Sequence, residues 1–151
     1  MALPGTVQFE NYDMGGNDVA YHDTTAGNSG GVYRSNNVDL QATTDSGGGY
    51  NLAWVKASEW MKYSVTAAAA GTYAVDVRVA SNGAGGTFHL EVDGANATGP
   101  MSVPTTGGWQ AWKTITKTGV AFSAGPHVVR VVMDANGATG SIANFNWFAI
   151  R

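Results

Sequence analysis

Residues 71–79 have the sequence Gly-Thr-Tyr-Ala-Val-Asp-Val-Arg-Val, in which apolar and polar side chains alternate from Tyr73 onward. In an extended chain every second side chain shares a face, so this stretch predicts a strand with a valine face toward a core. The same alternation recurs at residues 87–93 and 128–133. Other β-rich runs lie at residues 6–11, 37–42, 50–55, 59–66, 101–104, 111–118 and 142–150.

The segments between these runs are rich in turn-forming residues. Glycine contributes 21 of the 151 residues, about double its usual share, and pairs such as Asn-Gly and Asp-Gly separate the runs. No long amphipathic helix interrupts the pattern, and we interpret the alanines at 67–70 as a connection because they precede Gly71. The pattern predicts an all-β protein, a β-sandwich of two antiparallel sheets.

Length and charge limit the classes of protein and partner. A chain of 151 residues is about one domain, and we expect a single domain over residues 1–151 with its core between about 5 and 150. Cysteine is absent, which excludes disulfides and thiolate metal sites. The net charge of −3 does not favour nucleic acid or an anionic membrane surface, and no apolar run approaches the ~20 residues of a membrane span. We therefore expect neither as a partner.

Catalytic motifs are weak in this chain. Residues 27–31 have the sequence Gly-Asn-Ser-Gly-Gly, which matches the nucleophile elbow of serine hydrolases, but that motif needs a helix to follow. The three histidines are scattered, without metal-ligand spacing. A glycosidase needs two facing carboxylates, and the chain has three glutamates, Glu10, Glu59 and Glu91. The sequence leaves such a pair open and offers nothing in its favour.

Two aromatic residues are predicted to be displayed. The chain has five tryptophans, and we expect most of them in the core, including Trp147 in the final strand beside Phe148. Trp109 and Tyr33 differ because each follows a glycine-rich loop, which supports burial poorly. Flat aromatic faces bind the apolar faces of sugars, while asparagine and aspartate bind their hydroxyls.

Six motifs, in order and at the right spacing, resemble family 6 of the carbohydrate-binding modules over nearly the whole chain. They are Gln8-Phe9-Glu10-Asn11-Tyr12, Asn28-Ser29-Gly30-Gly31-Val32-Tyr33-Arg34, Glu59-Trp60-Met61-Lys62-Tyr63-Ser64-Val65, Gly71-Thr72-Tyr73 with Val77-Arg78-Val79-Ala80-Ser81, Thr106-Gly107-Gly108-Trp109-Gln110, and Asn144-Phe145-Asn146-Trp147-Phe148. Ser58 replaces the glycine usual before the third motif.

The resemblance implies a β-jelly roll that binds glycans without catalysis of its own. Its site, in the loops at one end of the sandwich, would use Tyr33 and Trp109 to stack on a sugar ring and Asn144 to hydrogen-bond it. Asp23 would be a further polar contact or, equally, a loop cap. Some members of the family bind glycans in a second cleft on a sheet face. This sequence has no motif that predicts such a cleft.

The resemblance also implies a structural calcium ion near the first and last strands. Its side-chain ligands would be Gln8, Glu10 and Asn146, with a main-chain carbonyl from near residues 28–30. Carboxylates are commoner in the family at positions 8 and 146, so this site would be weaker than usual.

The motifs are most similar to those of modules attached to laminarinases, which implies β-1,3-glucan as ligand. Xylan, cellulose and agarose are the alternatives within the family. The implied setting is a monomeric module linked covalently to a glycoside hydrolase in a secreted parent protein. Two other classes remain open: a small stand-alone glycosidase and an adhesion sandwich without a glycan ligand.

Overall fold

The computed structural model describes all residues, 1–151, and contains thirteen strands and one short 3-10 turn. The strands are β1 (Ala2–Leu3), β2 (Gly5–Gln8), β3 (Tyr21–His22), β4 (Leu40–Ala42), β5 (Tyr50–Leu52), β6 (Trp60–Ala67), β7 (Gly71–Ala80), β8 (Thr87–Val92), β9 (Ala95–Asn96), β10 (Met101–Ser102), β11 (Lys113–Phe122), β12 (Gly125–Ala135) and β13 (Asn144–Ile150). The 3-10 turn, Phe9–Asn11, follows β2 directly.

The strands form two sheets, which confirms the predicted β-sandwich. One sheet has seven strands in the order β1-β6-β12-β8-β10, with β3 beside β6 and β9 beside β8. The other has six in the order β11-β7-β13-β5-β4, with β2 beside β13. All pairs are antiparallel except β1 with β6, where Ala2 lies opposite Thr66. This short parallel pair departs from the expected pattern, and the buried Leu3 side chain anchors it.

Each predicted run contains a strand, but several strands are shorter than the alternation suggested. The first run ends as a strand at Gln8, because the chain turns into the 3-10 segment there. The run at 37–42 is a strand only over Leu40–Ala42. Conversely, β11 continues past Lys117 to Phe122 through a bulge at Gly119, whose φ of 83° suits a glycine.

Aromatic rings from both sheets fill the core. Phe9 lies against Tyr63 and Phe148, with centroid distances of 5.8 and 5.4 Å, and Phe88 meets Phe145 at 5.1 Å. The buried Tyr63 hydroxyl donates to the Phe9 carbonyl at 2.9 Å, so the polar tip of this core residue is satisfied. No helix in the chain has the length and apolar character needed to cross a membrane.

The expectation that most tryptophans lie in the core is wrong. None of the five is fully buried, and Trp147 is only half-buried. The cause at Trp147 is a shift of register in β13 between Phe145 and Phe148. This irregularity turns both phenylalanines inward, which strict alternation would not allow, and leaves Trp147 away from the core.

Candidate functional site

A cavity of about 230 Å³ opens between two exposed tryptophans, Trp54 and Trp109. Trp54 is 46% exposed and Trp109 37% exposed, although tryptophan is highly buried on average. Two of the predicted site residues, Trp109 and Asn144, come together here. The full lining is Gln41, Ala53, Trp54, Trp109, Ser141 and Asn144.

The loop that carries Trp109 is held on both sides of the ring. On one side, the Thr106 hydroxyl accepts from the Ser81 amide at 2.7 Å, and the Thr106 amide donates to the Ser81 carbonyl at 2.9 Å. On the other side, the Gln110 carboxamide accepts from the Thr44 amide at 2.9 Å and donates to Asn51 Oδ1 at 3.1 Å. The motif Thr-Gly-Gly-Trp-Gln therefore fixes its own flanks and presents the indole between them.

Trp54 reaches the cavity through an uncommon backbone conformation. Its φ of 54° is left-handed, which is rare for a bulky residue and costs about 1–3 kcal/mol. The buried neighbours Ala53 and Val55 impose it: the Ala53 amide donates to the Asp39 carbonyl at 3.0 Å, and the Val55 carbonyl accepts from the Ile142 amide at 2.8 Å. Such strain persists where the surrounding structure enforces it, often at ligand sites.

Polar groups line the cavity between the two rings. Asn144, at the start of β13, is buried, and its side-chain Nδ2 donates to the Trp109 carbonyl at 2.6 Å. Its second amide hydrogen and its Oδ1 stay available for a ligand. Lys56 fixes the opposite wall, since its ammonium donates to the Gly140 carbonyl at 2.8 Å and to the Ser141 hydroxyl at 2.9 Å. The lining residues themselves are all uncharged.

Tyr33 does not line this cavity. Its ring stacks on Tyr50 with a centroid distance of 4.8 Å and an interplanar angle of 29°, and its hydroxyl donates to Asn11 Oδ1 at 2.5 Å. The residue is displayed, as predicted, with 52% exposure and a left-handed φ of 67°. Tyr33 is therefore absent from the lining that Trp109 and Asn144 share.

Asp23 is a loop cap rather than part of the cavity lining. Its Oδ1 accepts from the amide and the hydroxyl of Thr25 at 2.8 and 2.9 Å. Burial raises the pKa of this carboxyl above its ordinary value. Glu59 has a similar role: it is buried and accepts from Thr24 and from the Lys56 amide, and burial raises its pKa too. Both acidic groups are occupied in holding loops together.

The predicted calcium ligands include two buried oxygens without a hydrogen-bond partner, Glu10 Oε2 and Asn146 Oδ1. Glu10 lies in the 3-10 turn, and burial raises its pKa. Gln8 is half-buried and lies opposite Trp147. No cluster of three or more His, Cys, Asp or Glu side chains suited to a metal exists in the chain. Unpartnered buried oxygens are unusual and suit a hard cation, so this donor set fits a weak calcium site.

The segment that leads into β5 contacts Glu10. The Tyr50 amide donates to Glu10 Oε1 at 3.4 Å, and a Cβ on Gly49 would lie 3.3 Å from that oxygen. Gly30, within the range predicted to supply a main-chain ligand, lies so close to the Leu40 carbonyl that no side chain fits there. A carbonyl near residue 49 is therefore a second candidate for the main-chain ligand, beside the one predicted from residues 28–30.

Sequence reasoning missed four lining residues, Gln41, Ala53, Trp54 and Ser141. Alternation through residues 50–55 placed Trp54 on the same face as the core residue Leu52, and no glycine marks the left-handed position. Gln41 and Ser141 have no signal of their own, since contacts distant in sequence bring them to the cavity.

A family model described as "Carbohydrate binding module (family 6)" matches residues 31–151. The chain is also 34% identical over 120 residues to the clotting factor G alpha subunit of Tachypleus tridentatus. That match takes in 78% of this chain and 17% of the relative, so the chain spans about a sixth of the relative's length.

Solved structures of similar modules superpose on the whole chain. One is a carbohydrate-binding module from Cellvibrio mixtus lichenase 5A in complex with cellotriose, with 32% identity and a TM-score of 0.73 over 98% of this chain and 96% of the other. Another is a β-1,3-glucan binding module of family 6 from Bacillus halodurans, with 28% identity and a TM-score of 0.73 over 99% and 97%. Both share the sandwich described above.

Proposed function

Since the chain belongs to family 6 of the carbohydrate-binding modules, we propose that it binds β-glucan, and preferentially β-1,3-glucan, in the cavity between Trp54 and Trp109. The observation that carries this proposal is a pair of exposed indoles around one cavity that also contains amide groups. In this proposal Trp54, rather than Tyr33, is the partner of Trp109.

The chemistry of the cavity suits an uncharged sugar. An indole face contacts the C–H groups of a pyranose ring, and Asn144 and Gln41 can donate to and accept from its hydroxyls. All six lining side chains are neutral, so binding gains nothing from a charged ligand and should not vary with pH. The strained Trp54 and the tethered Trp109 are already in place, which reduces the ordering cost of binding.

The choice of β-1,3-glucan is supported by the similar β-1,3-glucan binding module of Bacillus halodurans. The similar lichenase module in complex with cellotriose supports β-1,4-linked glucan as the second candidate. Isothermal titration with laminari-, cello- and xylo-oligosaccharides of equal length separates them. We expect laminari-oligosaccharides to bind tightest; a preference for cello-oligosaccharides would replace β-1,3-glucan by β-1,4-glucan, and binding to none would overturn the proposal.

We further propose that the chain acts without catalysis, as a targeting module for a linked glycoside hydrolase outside the cell. The similar module of lichenase 5A comes from an enzyme, which supports this setting. Binding would raise the effective concentration of the enzyme at its polysaccharide. Fusion to a β-1,3-glucanase should increase hydrolysis of insoluble glucan but not of soluble oligosaccharides, and a Trp109→Ala fusion is the matched control. Release of reducing sugar by the isolated chain would contradict the non-catalytic role.

We propose that Gln8, Glu10 and Asn146 hold a structural calcium ion, supported by the two unpartnered oxygens of Glu10 and Asn146. Bound there, the ion would supply positive charge between the 3-10 turn and β13. An ion that binds only the native state stabilises it by about 2.7 kcal/mol at a hundredfold excess over its dissociation constant. Chelator should therefore lower the melting temperature of calcium-loaded protein. An identical melting curve after calcium removal would contradict the site.

A further inference from the structure

Arg78 and Asp45 form an ion pair next to the proposed calcium ligands. The guanidinium donates through Nε and Nη2 to the two oxygens of Asp45, each at 2.8 Å. The Asp45 side chain is only 6% exposed and that of Arg78 25%. Arg78 belongs to the fourth family motif, and neither residue lines the glycan cavity.

The carboxylate of Asp45 determines which way the Asn146 carboxamide faces. An ionised carboxylate only accepts hydrogen bonds, so a neighbouring carboxamide must present its nitrogen to it. Asn146 does so: its Nδ2 donates to Asp45 Oδ2 at 2.9 Å. The opposite rotamer would place Oδ1 against a carboxylate oxygen, where both groups repel. The Asn146 Oδ1 is thereby turned away from Asp45, and it is the oxygen that is buried without a partner.

The segment between β4 and β5, together with the first residue of β5, also hydrogen-bonds one carboxylate oxygen of Glu10 and leaves the other without a partner. Asp45 lies at one end of this loop, and Gly49 and Tyr50 lie at the other, where the Tyr50 amide binds Glu10 Oε1. The atom left over is Oε2, which is also buried and unpartnered. The loop thus engages one atom of Glu10 and one of Asn146, and it leaves one oxygen of each without a partner.

From these contacts we infer that Arg78 and Asp45 are positioning residues of the cation site, which hold the Asn146 carboxamide with Oδ1 available to calcium. This inference depends on the calcium site proposed above. Groups that orient metal ligands without touching the metal typically change its affinity by about tenfold to a hundredfold when removed. Arg78 contributes by fixing the orientation of Asp45, since its two donors match both carboxylate oxygens.

Isothermal titration of calcium-stripped protein with Ca²⁺, in the absence of glycan, tests the inference. Asp45→Asn keeps the volume of the side chain but can present either an oxygen or a nitrogen to Asn146. We expect it to weaken Ca²⁺ binding by about tenfold or more. Arg78→Lys removes the paired donors and should weaken binding less than Asp45→Asn; it also serves as the second variant if Asp45→Asn is poorly folded.

The chain offers a matched control in another aspartate–arginine pair of the same sheet. Arg151 donates to the two oxygens of Asp76 at 2.5 and 3.1 Å, and neither residue contacts Asn146. Asp76→Asn should leave the Ca²⁺ affinity unchanged. Melting temperatures of the calcium-free proteins then separate positioning from general stability. If Asp45 had a merely structural role, Asp45→Asn would lower the melting temperature without changing the Ca²⁺ dissociation constant.

The outcomes distinguish the two proposals. Ca²⁺ binding by the parent, with a selective loss in Asp45→Asn, supports both. Binding by the parent that is equal in Asp45→Asn and Arg78→Lys overturns the positioning role and keeps the calcium site. Absence of Ca²⁺ binding by the parent overturns the calcium site and the positioning role together, while the glycan proposal stands on its own cavity.

Discussion

Trp54 and Tyr33 are both exposed aromatic residues on left-handed backbone, with φ of 54° and 67°, but their rings have different surroundings. Trp54 shares an open cavity with Trp109, whereas Tyr33 stacks on Tyr50 and its hydroxyl is bound to Asn11. In the proposed site, exposure is therefore not the property that distinguishes Trp54 from Tyr33. The difference is the cavity beside Trp54, whose uncharged polar groups can bind hydroxyls.

The largest effect on glycan binding should come from Trp109→Ala. Stacking on one aromatic face is worth about 1–3 kcal/mol, taking the stacking of nucleic-acid bases as a guide. Loss of the indole should therefore weaken laminarin binding by about tenfold to a hundredfold in isothermal titration.

The melting temperature of Trp109→Ala should stay near that of the parent, because the exposed ring contributes little to the core. Trp112→Ala is a suitable control, since Trp112 is half-buried nearby and does not line the cavity. Parent-like binding by Trp109→Ala would remove the cavity from consideration as the glycan site.

Trp54→Gly should also weaken laminarin binding. Unlike other substitutions at this position, it leaves no strained left-handed backbone to lower stability. Glycine adopts a left-handed φ freely, so the substitution relieves strain while it removes one wall of the cavity. We expect binding to fall by about tenfold and Trp54→Gly to melt higher than Trp54→Ala. If Trp54→Gly binds laminarin as tightly as the parent, one indole suffices and the two-walled cavity is the wrong description of the site.

The strand pattern of the sandwich was predictable because alternation is local. Residues 71–80 form a strand through the core, as their sequence indicates, and Trp109 and Asn144 meet as their motifs predicted. Each of these conclusions depends on a short stretch of sequence whose alternation, turn residues or motif can be recognised locally.

The remainder depends on contacts that are distant in sequence. The register shift in β13 that turns Trp147 away from the core arises from pairing with β7, which residues 144–150 do not reveal. The left-handed backbone of Trp54 is imposed by hydrogen bonds to Asp39 and Ile142. The position of Tyr33 depends on Tyr50 and Asn11, residues 17 and 22 positions away. Local sequence encodes the strands, but tertiary pairing determines which exposed rings share a cavity.

Asn144→Ala should have a smaller effect than loss of either indole. The carboxamide donates to the Trp109 carbonyl, and one such hydrogen bond contributes about 0.5–1.5 kcal/mol. We expect laminarin binding to weaken by about threefold to tenfold, partly through a less ordered Trp109 loop. Asn144→Asp is the informative companion variant, because its carboxylate cannot donate to that carbonyl. An equal loss with Asp and Ala would assign the effect to the missing donor, and a greater loss with Asp would add repulsion between its carboxylate and the Trp109 carbonyl. Equal affinity of all three proteins would exclude Asn144 from the site.

Tyr33→Gly completes the comparison and should have the smallest effect. The substitution is the same as at Trp54, from an exposed aromatic residue on left-handed backbone to the residue that adopts this conformation without strain. Tyr33 lies outside the cavity lining, and its ring is already stacked on Tyr50, so laminarin affinity should stay within about twofold of the parent. Stability should fall slightly, since the variant loses the stack and the hydrogen bond to Asn11 while the backbone strain is relieved. Titrating Tyr33→Gly and Trp54→Gly side by side with one laminarin preparation gives the decisive measurement. A loss of binding in Tyr33→Gly that equals the loss in Trp54→Gly would restore Tyr33 to the site and show that the glycan extends beyond the cavity.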